Sequence, residues 1–547
     1  MRVLARCLLL FGAAITGTAE AQVAPDRTDP ALITRSLPAL PQQAPALPRT
    51  TLTPAPTSGV VGVTHAVLAR HIEVSGTTIP AAAFARATAP FAGRALSPAE
   101  VSRLASVVAG VARARGLVFA SASVQPQSVA EGGLVVTLDE GRVDAVRSLG
   151  ASNAAADRIL AELVTHAGVT RGELERAMLL VGDIPGLSVV NARYARENGF
   201  GILLVTVAFD RASLFVQADN RGTAEIGPWR TTELGSVRGI ARAGDEISIV
   251  GSQTPANPKQ FEFVSGQYSL PVGHHGQILS ASAFFGSTHA GGDLAYLDLT
   301  GRSYGGSIGY SAVLQRSRRA SFWFDVDLRV IRNQQNLRGA RFRDDSLSVL
   351  SGTLRTEATV AGGTLRGGLA TAVGLPFAGV THEGDPRASR EDGDARFVTS
   401  AVQATWRRPL GGPVTVEVAA AAQVASRPLL ATSEISLGGP TIGRAYDYSE
   451  RTGDQGILGS AEMQFDLRRY ARTSANQLQA YVFADGGTVS NLRGGEGGGS
   501  LASAGAGLRI GLGRFYGAVE VAAPLAAERL DTGNHAARVS TRLSLLF

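Results

Sequence analysis

The sequence is poor in cysteine and in aromatic residues. Its 547 residues include one cysteine, Cys7, and Phe, Tyr and Trp together make up 6% of the chain. A single thiol near the N-terminus excludes disulfide scaffolds, and it also excludes zinc sites built on cysteine. Glycine is abundant, with 65 residues. This balance favours turns and closely packed strands over long helices.

Charge of one sign and catalytic motifs are also scarce. The net charge is +6 without a basic run, so nucleic-acid binding is not expected. Residues 305–309 fit G-x-S-x-G but lie in a strand-only region, and residues 494–499 lack the lysine of a phosphate-binding loop. His274 and His275 are adjacent, so on a strand they would face opposite sides. We therefore predict neither enzyme activity, nor a cofactor, nor a metal site.

No long hydrophobic run is present at the N-terminus. The apolar stretch 8–15 is too short for a membrane anchor, which needs about 20 residues. It follows Arg2 and Arg6 and precedes Ala19 and Ala21, which have the spacing of a cleavage site. Residues 1–21 are therefore predicted to be a secretory signal peptide, and the protein is expected to be exported.

Residues 22–58 form a proline-rich linker, in which repeated prolines prevent a packed element. Asp29 and Pro30 nevertheless suit the start of a helix, and Ile33 and Leu37 would share one face. The stretch 29–37 is thus either a short helix or part of a disordered tether.

Residues 59–210 indicate two copies of one β-α-α-β-β module, at 59–141 and 142–210. Each copy contains a capping box before a helix: Ser97 with Glu100 in the first, and Thr170 with Glu173 in the second. Short alternating strands surround these helices.

Residues 211–547 instead alternate with a period of two. From Ser321 to Ile331, apolar side chains face one way and mostly charged ones the other. Runs of about 9–11 residues are the length that a tilted strand needs to cross a bilayer, which favours a transmembrane barrel over a soluble sandwich. The segment is long enough for about 16 antiparallel strands.

At this point the chain resembles the two-partner secretion transporters over essentially its whole length. Their members have a plug helix, two polypeptide-transport-associated (POTRA) modules and a 16-stranded barrel. The terminal Phe547 resembles the signal read by the barrel assembly machinery. Further matches are the segments 140–143 between the modules, 183–187 in the second module, 218–222 in the first barrel strand and 268–273 in an early hairpin.

The most specific match is the segment 437–446, which resembles a loop that folds into the lumen with the motif V-R-G-[YF]. Here Gly443 replaces the valine and Ala445 the glycine, while Arg444 and Tyr446 are kept. The resemblance implies that Arg444 pairs with Asp485, and alternation along its strand points Asp485 inward. We expect the guanidinium to make two bonds to that carboxylate. The motif also includes Gly438, Gly439, Gly453, Asp454 and Gly456.

The resemblance implies a monomeric pore in the outer membrane of a Gram-negative bacterium, with its POTRA modules in the periplasm. It would secrete an unfolded exoprotein of adhesin or haemolysin type, recognised through an N-terminal secretion domain, without nucleotide hydrolysis. The alternatives are an outer-membrane assembly factor of the same superfamily, which usually carries three or more modules, and a diffusion porin or adhesin, which needs no such modules.

Overall fold

The computed structural model comprises a short N-terminal helix, two small mixed modules and a barrel. The described residues are 28–34, 65–125, 127, 132–165, 167–197, 199–471, 473–493, 495 and 497–547. The expected signal peptide, including Ala19 and Ala21, and most of the linker lie outside them. Within the described ranges, no helix combines the length and the apolar character needed to cross a bilayer.

The N-terminal helix α1 covers Pro30–Thr34. The Oδ1 atom of Asp29 accepts the N–H of Ala31 at 2.8 Å, which satisfies a free donor at the start of the helix. Of the two alternatives that the sequence left open for 29–37, the structure shows the helix over Pro30–Thr34, and residues 35–37 lie outside the described residues.

The first module contains the predicted β-α-α-β-β elements and, in addition, two short strands, β1 and β3, that pair with each other. The Oγ atom of Ser97 accepts the N–H of Glu100 at 3.3 Å, and the Glu100 carboxylate accepts the N–H of Ser97 at 2.9 Å. The capping box is thus confirmed, and the helix that it begins buries one apolar face. The elements are β1 (Val67–Ala69), β2 (His71–Ser75), α2 (Ala82–Thr88), β3 (Arg94–Leu96), α3 (Pro98–Ala114), β4 (Ser121–Ser123) and β5 (Gly133–Asp139).

The second module has the predicted β-α-α-β-β order without the extra strand pair, and its sheet has the strand order β6, β8, β7. Thr170 and Glu173 form the second predicted capping box. The elements are β6 (Ala145–Gly150), α4 (Ala154–Ala161), α5 (Arg171–Gly182), β7 (Leu187–Glu197) and β8 (Phe200–Phe209).

The two modules meet through apolar side chains and a glycine junction. Phe119 leaves the first module and stacks on Tyr194 of the second with ring centroids 4.3 Å apart. The strand predicted over 117–124 is shorter in the structure, where β4 covers Ser121–Ser123. Gly141 has φ +80°, and a Cβ there would lie 2.5 Å from the Phe119 carbonyl carbon. Burial, with Asp144 nearby, raises the pKa of Tyr194 to about 12.

Sixteen antiparallel strands then close into a barrel, which confirms the predicted fold class. They are β9 (Ala212–Asp219), β10 (Arg230–Arg238), β11 (Glu246–Gln253), β12 (Phe261–Val272), β13 (Gln277–His289), β14 (Leu299–Gln315), β15 (Ala320–Leu337), β16 (Ala340–Val360), β17 (Gly363–Gly374), β18 (Val398–Gly411), β19 (Val414–Ala425), β22 (Gln455–Asp466), β23 (Gln477–Ser490), β24 (Gly499–Leu512), β25 (Phe515–Pro524) and β26 (Arg538–Leu546). A small hairpin of β20 (Ile435–Leu437) and β21 (Arg451–Gly453) lies between β19 and β22.

The barrel wall has an apolar outside and a polar inside. Ile308 and Leu369 are exposed on the outer surface, whereas Thr232 and Gln464 are buried on the inner one. This is the reverse of a soluble sandwich and matches a lipid-facing barrel.

Several strands are longer than the predicted 9–11 residues. β15 has 18 residues and β16 has 21. Their shared hairpin carries polar pairs at its far end, among them Arg332 with Asp344 at 2.9 Å. The strands therefore continue beyond the apolar band of the wall. In this outer part, the alternation of apolar and polar side chains along the sequence does not show where the membrane ends.

The seam between β9 and β26 is the point where the barrel closes. It has five paired positions, from Arg542 with Asp219 to Leu546 with Phe215, against 18 between β15 and β16. Asn220 extends the seam with its side chain: Nδ2 donates to the Val539 carbonyl at 3.0 Å, and Oδ1 accepts the Thr541 N–H at 2.7 Å. The side-chain amide of Asn220 thus makes hydrogen bonds of the kind that a backbone amide makes between paired strands.

The second module packs directly on the barrel. The two Asp183 oxygens accept bonds from Arg316, in the turn between β14 and β15, at 2.7 and 2.8 Å. The Glu175 carboxylate accepts the backbone N–H of Arg318 at 2.6 Å. Asp183, the first residue of the segment 183–187 that resembles the family, therefore helps to anchor the module on the barrel.

Candidate lumen lock and plug

The segment between β19 and β22 folds into the lumen and rests on the inner faces of β22 to β25. Its apolar part, which includes Leu437 and Tyr446, packs in a cluster with Tyr481 and Phe483 of β23. The Tyr446 hydroxyl lies 2.8 Å from the Ala527 carbonyl oxygen and donates to the barrel-side backbone there. The loop is thus held against one side of the wall.

Two glycines make the tight turn of this loop possible. Gly443 has φ +80°, and a Cβ on it would lie 2.9 Å from the Cα of Gly438. Gly438 itself has φ +109°. Ala445 is absent from the described residues with positive φ and is fully buried. The left-handed position is thus Gly443, so replacing the motif's glycine by Ala445 does not strain the backbone.

Arg444 and Asp485 meet in the lumen. The Arg444 Nε lies 3.2 Å from Asp485 Oδ2. Asp485 Oδ1 accepts the backbone N–H groups of Gly443 and Arg444 at 2.8 and 3.3 Å, and it also accepts the Ser503 hydroxyl. The carboxylate therefore fixes the loop backbone as well as the guanidinium.

The expected pair of bonds from Arg444 to one carboxylate is wrong. Nη1 of Arg444 contacts Glu462 at 2.7 Å and Glu520 at 3.3 Å, so the guanidinium is shared among three acids on three strands. Its planar face lies over the Phe483 ring, with the Arg444 Cζ 4.0 Å from the centroid. The fork cannot align with Asp485 alone because the other two carboxylates compete for it.

The surrounding charges balance. Arg509 contacts Glu462 at 2.6 Å, and Arg221 contacts Glu520 at 2.5 Å. We call these six residues the arginine–carboxylate cluster: Arg221, Arg444, Arg509, Glu462, Asp485 and Glu520. Since most of these side chains are nearly excluded from solvent, removing one charge would leave an opposite charge buried and unpaired.

Glu462, Glu520 and Arg509 were not predicted as site residues. Glu462 lies on the polar face of its strand, so alternation placed it inside the barrel. Which of the many inward charges meet depends on strand register, and the sequence does not reveal that register.

Asp454 lies in a second cluster, away from Arg444. Its Oδ2 is 2.8 Å from Arg390 of the loop between β17 and β18, and its oxygens accept the N–H groups of Leu429 and Leu492 at 2.7 Å each. The predicted motif residues thus separate into two groups. Gly453 and Gly456 belong here, where they allow close approach to β23, while Gly438, Gly439 and Gly443 belong with Arg444.

The helix α1 lies inside the barrel as well. Asn333 of β15 donates to the Asp29 carboxylate, and Thr288 of β13 donates to the Thr28 carbonyl at 2.6 Å. Ile33 packs with Phe261 and with Tyr448 of the lumenal loop. The helix therefore touches both the wall and the loop.

Phe547 lies at the barrel seam. Its N–H donates to the Leu214 carbonyl at 2.8 Å, and its own carbonyl accepts the Leu214 N–H at 3.2 Å. Its ring is exposed on the outside. The last residue thus joins the first barrel strand, and any part in assembly remains a prediction.

The expectation that His274 and His275 lie on opposite faces of a strand is wrong. Both lie in the turn that joins β12 to β13, between Gly273 and Gly276, whose φ values are +67° and +83°. Their rings are 4.0 Å apart, and both approach Glu162 of the second module.

Comparisons with known proteins agree with this architecture. The family model described as haemolysin secretion/activation protein ShlB/FhaC/HecB matches residues 201–510, more than half of the chain. The ShlB-type POTRA domain matches residues 67–141. Heme/hemopexin transporter protein HuxB of Haemophilus influenzae is 24% identical over 222 residues, which make up 39% of this chain and 39% of HuxB. The match therefore spans well under half of that relative.

Solved structures with the same fold cover nearly the whole chain. CdiB from Escherichia coli superposes with a TM-score of 0.71 and 20% identity, over 97% of this chain and 100% of that one. CdiB from Acinetobacter baumannii gives 0.64 and 14%, over 96% and 100%. BamA from Haemophilus ducreyi lacking POTRA domains 1–3 gives 0.54 and 12%, over 88% and 100%. At these identities the likeness shows the fold.

Proposed function

This chain belongs to the haemolysin secretion/activation family ShlB/FhaC/HecB, whose members are secretion transporters and not enzymes, and we propose that it exports one unfolded exoprotein through its barrel. The observation that carries the proposal is a closed lumen filled by two segments, the loop around Arg444 and the helix α1. The loop joins the wall only through its ends, at β19 and β22, and the described contacts that hold both segments inside the lumen are noncovalent, so both can move without breaking the barrel.

The second module supports recognition of an unfolded chain. Strand β6 pairs with β8 on one side and forms an edge of its sheet, with no register shift along it. The opposite edge, β7, contains a shift between Val189 and Asn191, which interrupts a regular ladder. We therefore propose that the N-terminal secretion domain of the exoprotein adds a strand at β6, where backbone bonds give affinity with little sequence demand.

The proposed setting is the outer membrane of a Gram-negative bacterium, with the modules in the periplasm. The signal peptide predicted for residues 1–21 supports export, and the exposed ring of Phe547 is available to the barrel assembly machinery. A monomer is expected because one chain supplies all sixteen strands. We infer that nucleotide hydrolysis is not required, since folding of the exoprotein outside can bias its movement.

The test is secretion of the exoprotein encoded beside this chain, measured with and without the chain while the outer membrane is fractionated. Loss of export with other barrels unchanged is the expected result. Normal export with depleted barrels would contradict the proposal and favour the second candidate, an outer-membrane assembly factor. The fold shared with BamA is the observation that favours this candidate.

A further inference from the structure

A cluster of two imidazoles and one carboxylate lies where the second module meets the barrel. Glu162 follows α4, and His274 and His275 occupy the turn between β12 and β13. We propose that these three residues bind a divalent transition metal, Zn²⁺, and that the bound ion ties the module to the barrel. This site is separate from the lumenal loop and the plug.

The distances fit the coordination sphere of zinc. Oε1 of Glu162 is 3.1 Å from Nε2 of His274 and 3.4 Å from Nδ1 of His275. All three donor atoms lie within 4.8 Å of one another. Zinc bonds to nitrogen and oxygen measure about 2.0–2.2 Å, so tetrahedral ligands are separated by roughly 3.3–3.6 Å. A single ion could therefore contact all three atoms after small side-chain rotations.

The turn explains how adjacent histidines can converge. On a strand their side chains would diverge, but between Gly273 and Gly276 the backbone reverses direction. The Gln277 side-chain carbonyl accepts the His275 N–H at 3.1 Å and supports this shape. The two rings are inclined at 58°, and each presents a different nitrogen to Glu162.

The donor set and its exposure suit an exchangeable zinc ion. Imidazole nitrogen and carboxylate oxygen are common zinc ligands, and three protein ligands leave a fourth position for water. The side chains of Glu162, His274 and His275 are 38%, 51% and 50% exposed. The ion can therefore enter from solvent without opening the fold.

The expected effect of the ion on the attachment of the module follows from the contacts beside the site. The contacts of Asp183 with Arg316 and of Glu175 with Arg318 already join the module to the next turn of the barrel. A metal bridge from Glu162 would add an anchor on the turn between β12 and β13. The bound ion should thus make separation of module and barrel harder.

Calorimetric titration of the purified full chain with ZnCl₂ tests binding. The expected result is one saturable site, lost in the His274→Ala/His275→Ala double variant and weakened in Glu162→Gln. His382→Ala removes an exposed histidine elsewhere and should leave binding unchanged. Absence of saturable binding in the wild type, or equal binding in the double variant, would overturn the proposal.

Hydrogen exchange tests the bridge itself. Zn²⁺ should slow amide exchange in α4 and in the turn 273–276 of the wild type, and have no effect on the double variant. Equal exchange with and without Zn²⁺ in the wild type would show that the ion does not join the two parts, and would also overturn the proposal. Neither measurement depends on secretion, so its outcome is independent of the proposed export function.

Discussion

Two segments lie in the lumen of this barrel, and they differ in length and in the contacts that hold them. The loop around Arg444 is fixed by the arginine–carboxylate cluster, in which each charge has a buried partner. The contacts of helix α1 include hydrogen bonds from Thr288 to the Thr28 carbonyl and from Asn333 to the Asp29 carboxylate, and the packing of Ile33 against Phe261 and Tyr448. Freeing the loop would separate Arg444 from three carboxylates, and a buried ion that loses its partner is costly.

The difference suggests which segment leaves first. A helix of five residues is unstable alone in water, so α1 would unfold after leaving the lumen and become part of the linker. The loop would stay until a larger perturbation separates its charges. We therefore expect a substitution with a small energetic cost to release the helix from the lumen, and only one with a large cost to release the loop.

The largest expected effect is that of Arg444→Ala. Removing one partner of a buried ion pair typically costs about 3–5 kcal/mol, so the loop should leave the wall. We expect export of the exoprotein to be abolished while the barrel remains in the outer membrane, and the same for Asp485→Ala. Secretion and outer-membrane fractionation measure this. Arg329→Ala, which removes an exposed lumenal arginine, is the control. Wild-type secretion by both loop variants would show that the cluster is not a lock.

Gly443→Ala should disturb the same loop less strongly. An L residue in the left-handed conformation costs about 1–2 kcal/mol, and its Cβ would press on Gly438. Limited proteolysis of the loop should become faster. Gly459→Ala is the matched control, because its nearest neighbour would lie 3.8 Å away. Equal proteolysis of the two variants would contradict the assigned backbone strain.

Asp29→Ala should loosen the helix and leave the loop in place. The loss of an N-cap costs about 1 kcal/mol, and the bond from Asn333 is lost with it. Conductance in planar bilayers should rise, and deletion of residues 22–37 should raise it further. Asp327→Ala, on the same strand as Asn333, should leave conductance near wild type. If the deletion also leaves conductance unchanged, α1 is not a plug.

Asn220→Ala should weaken the seam without emptying the lumen. Two hydrogen bonds are lost, each worth about 0.5–1.5 kcal/mol. The thermal midpoint of barrel unfolding should be lower than in the wild type, and Asn220→Asp, which keeps the acceptor but sets a carboxylate oxygen against the Val539 carbonyl, should not restore it. An unchanged midpoint in both would mean that the seam does not need this amide.

The smallest effect is expected at the module junction. Partial burial alone would raise the pKa of Glu140, but bonds from Thr77 and Thr78 hold it below its ordinary value of 4.5. The carboxylate therefore stabilises the fold at pH above 4.5, and this stabilisation is lost as the pH falls through the lower folded-state pKa. In Glu140→Gln, amide exchange near Thr78 should lack this pH dependence. Identical profiles for variant and wild type would contradict it.

The sequence predicted the local structure well because the relevant forces act over a few residues. The capping boxes at Ser97 and Thr170 need only a side chain three positions away, and they are confirmed. Alternation likewise placed Asp485 on the inner face. Alternation did not predict the full length of β15 and β16, because the two strands stay paired beyond the part of the wall that faces lipid.

The contacts of Arg444 were beyond sequence reasoning for a different reason. Glu462, Asp485 and Glu520 lie on β22, β23 and β25, and their meeting depends on the register of three successive strand pairs and on where the loop folds into the lumen. The convergence of His274 and His275 on Glu162 depends in the same way on how a module sits on a barrel turn.

The sequence by itself determined the order of two β/α modules and a barrel, because helical and strand periodicities are local properties of the chain. Only the tertiary structure decided which inward charges form the arginine–carboxylate cluster, where α1 rests and how Asn220 completes the seam. Each of these requires closure of sixteen strands in one register, and that register follows from the energy of the whole barrel.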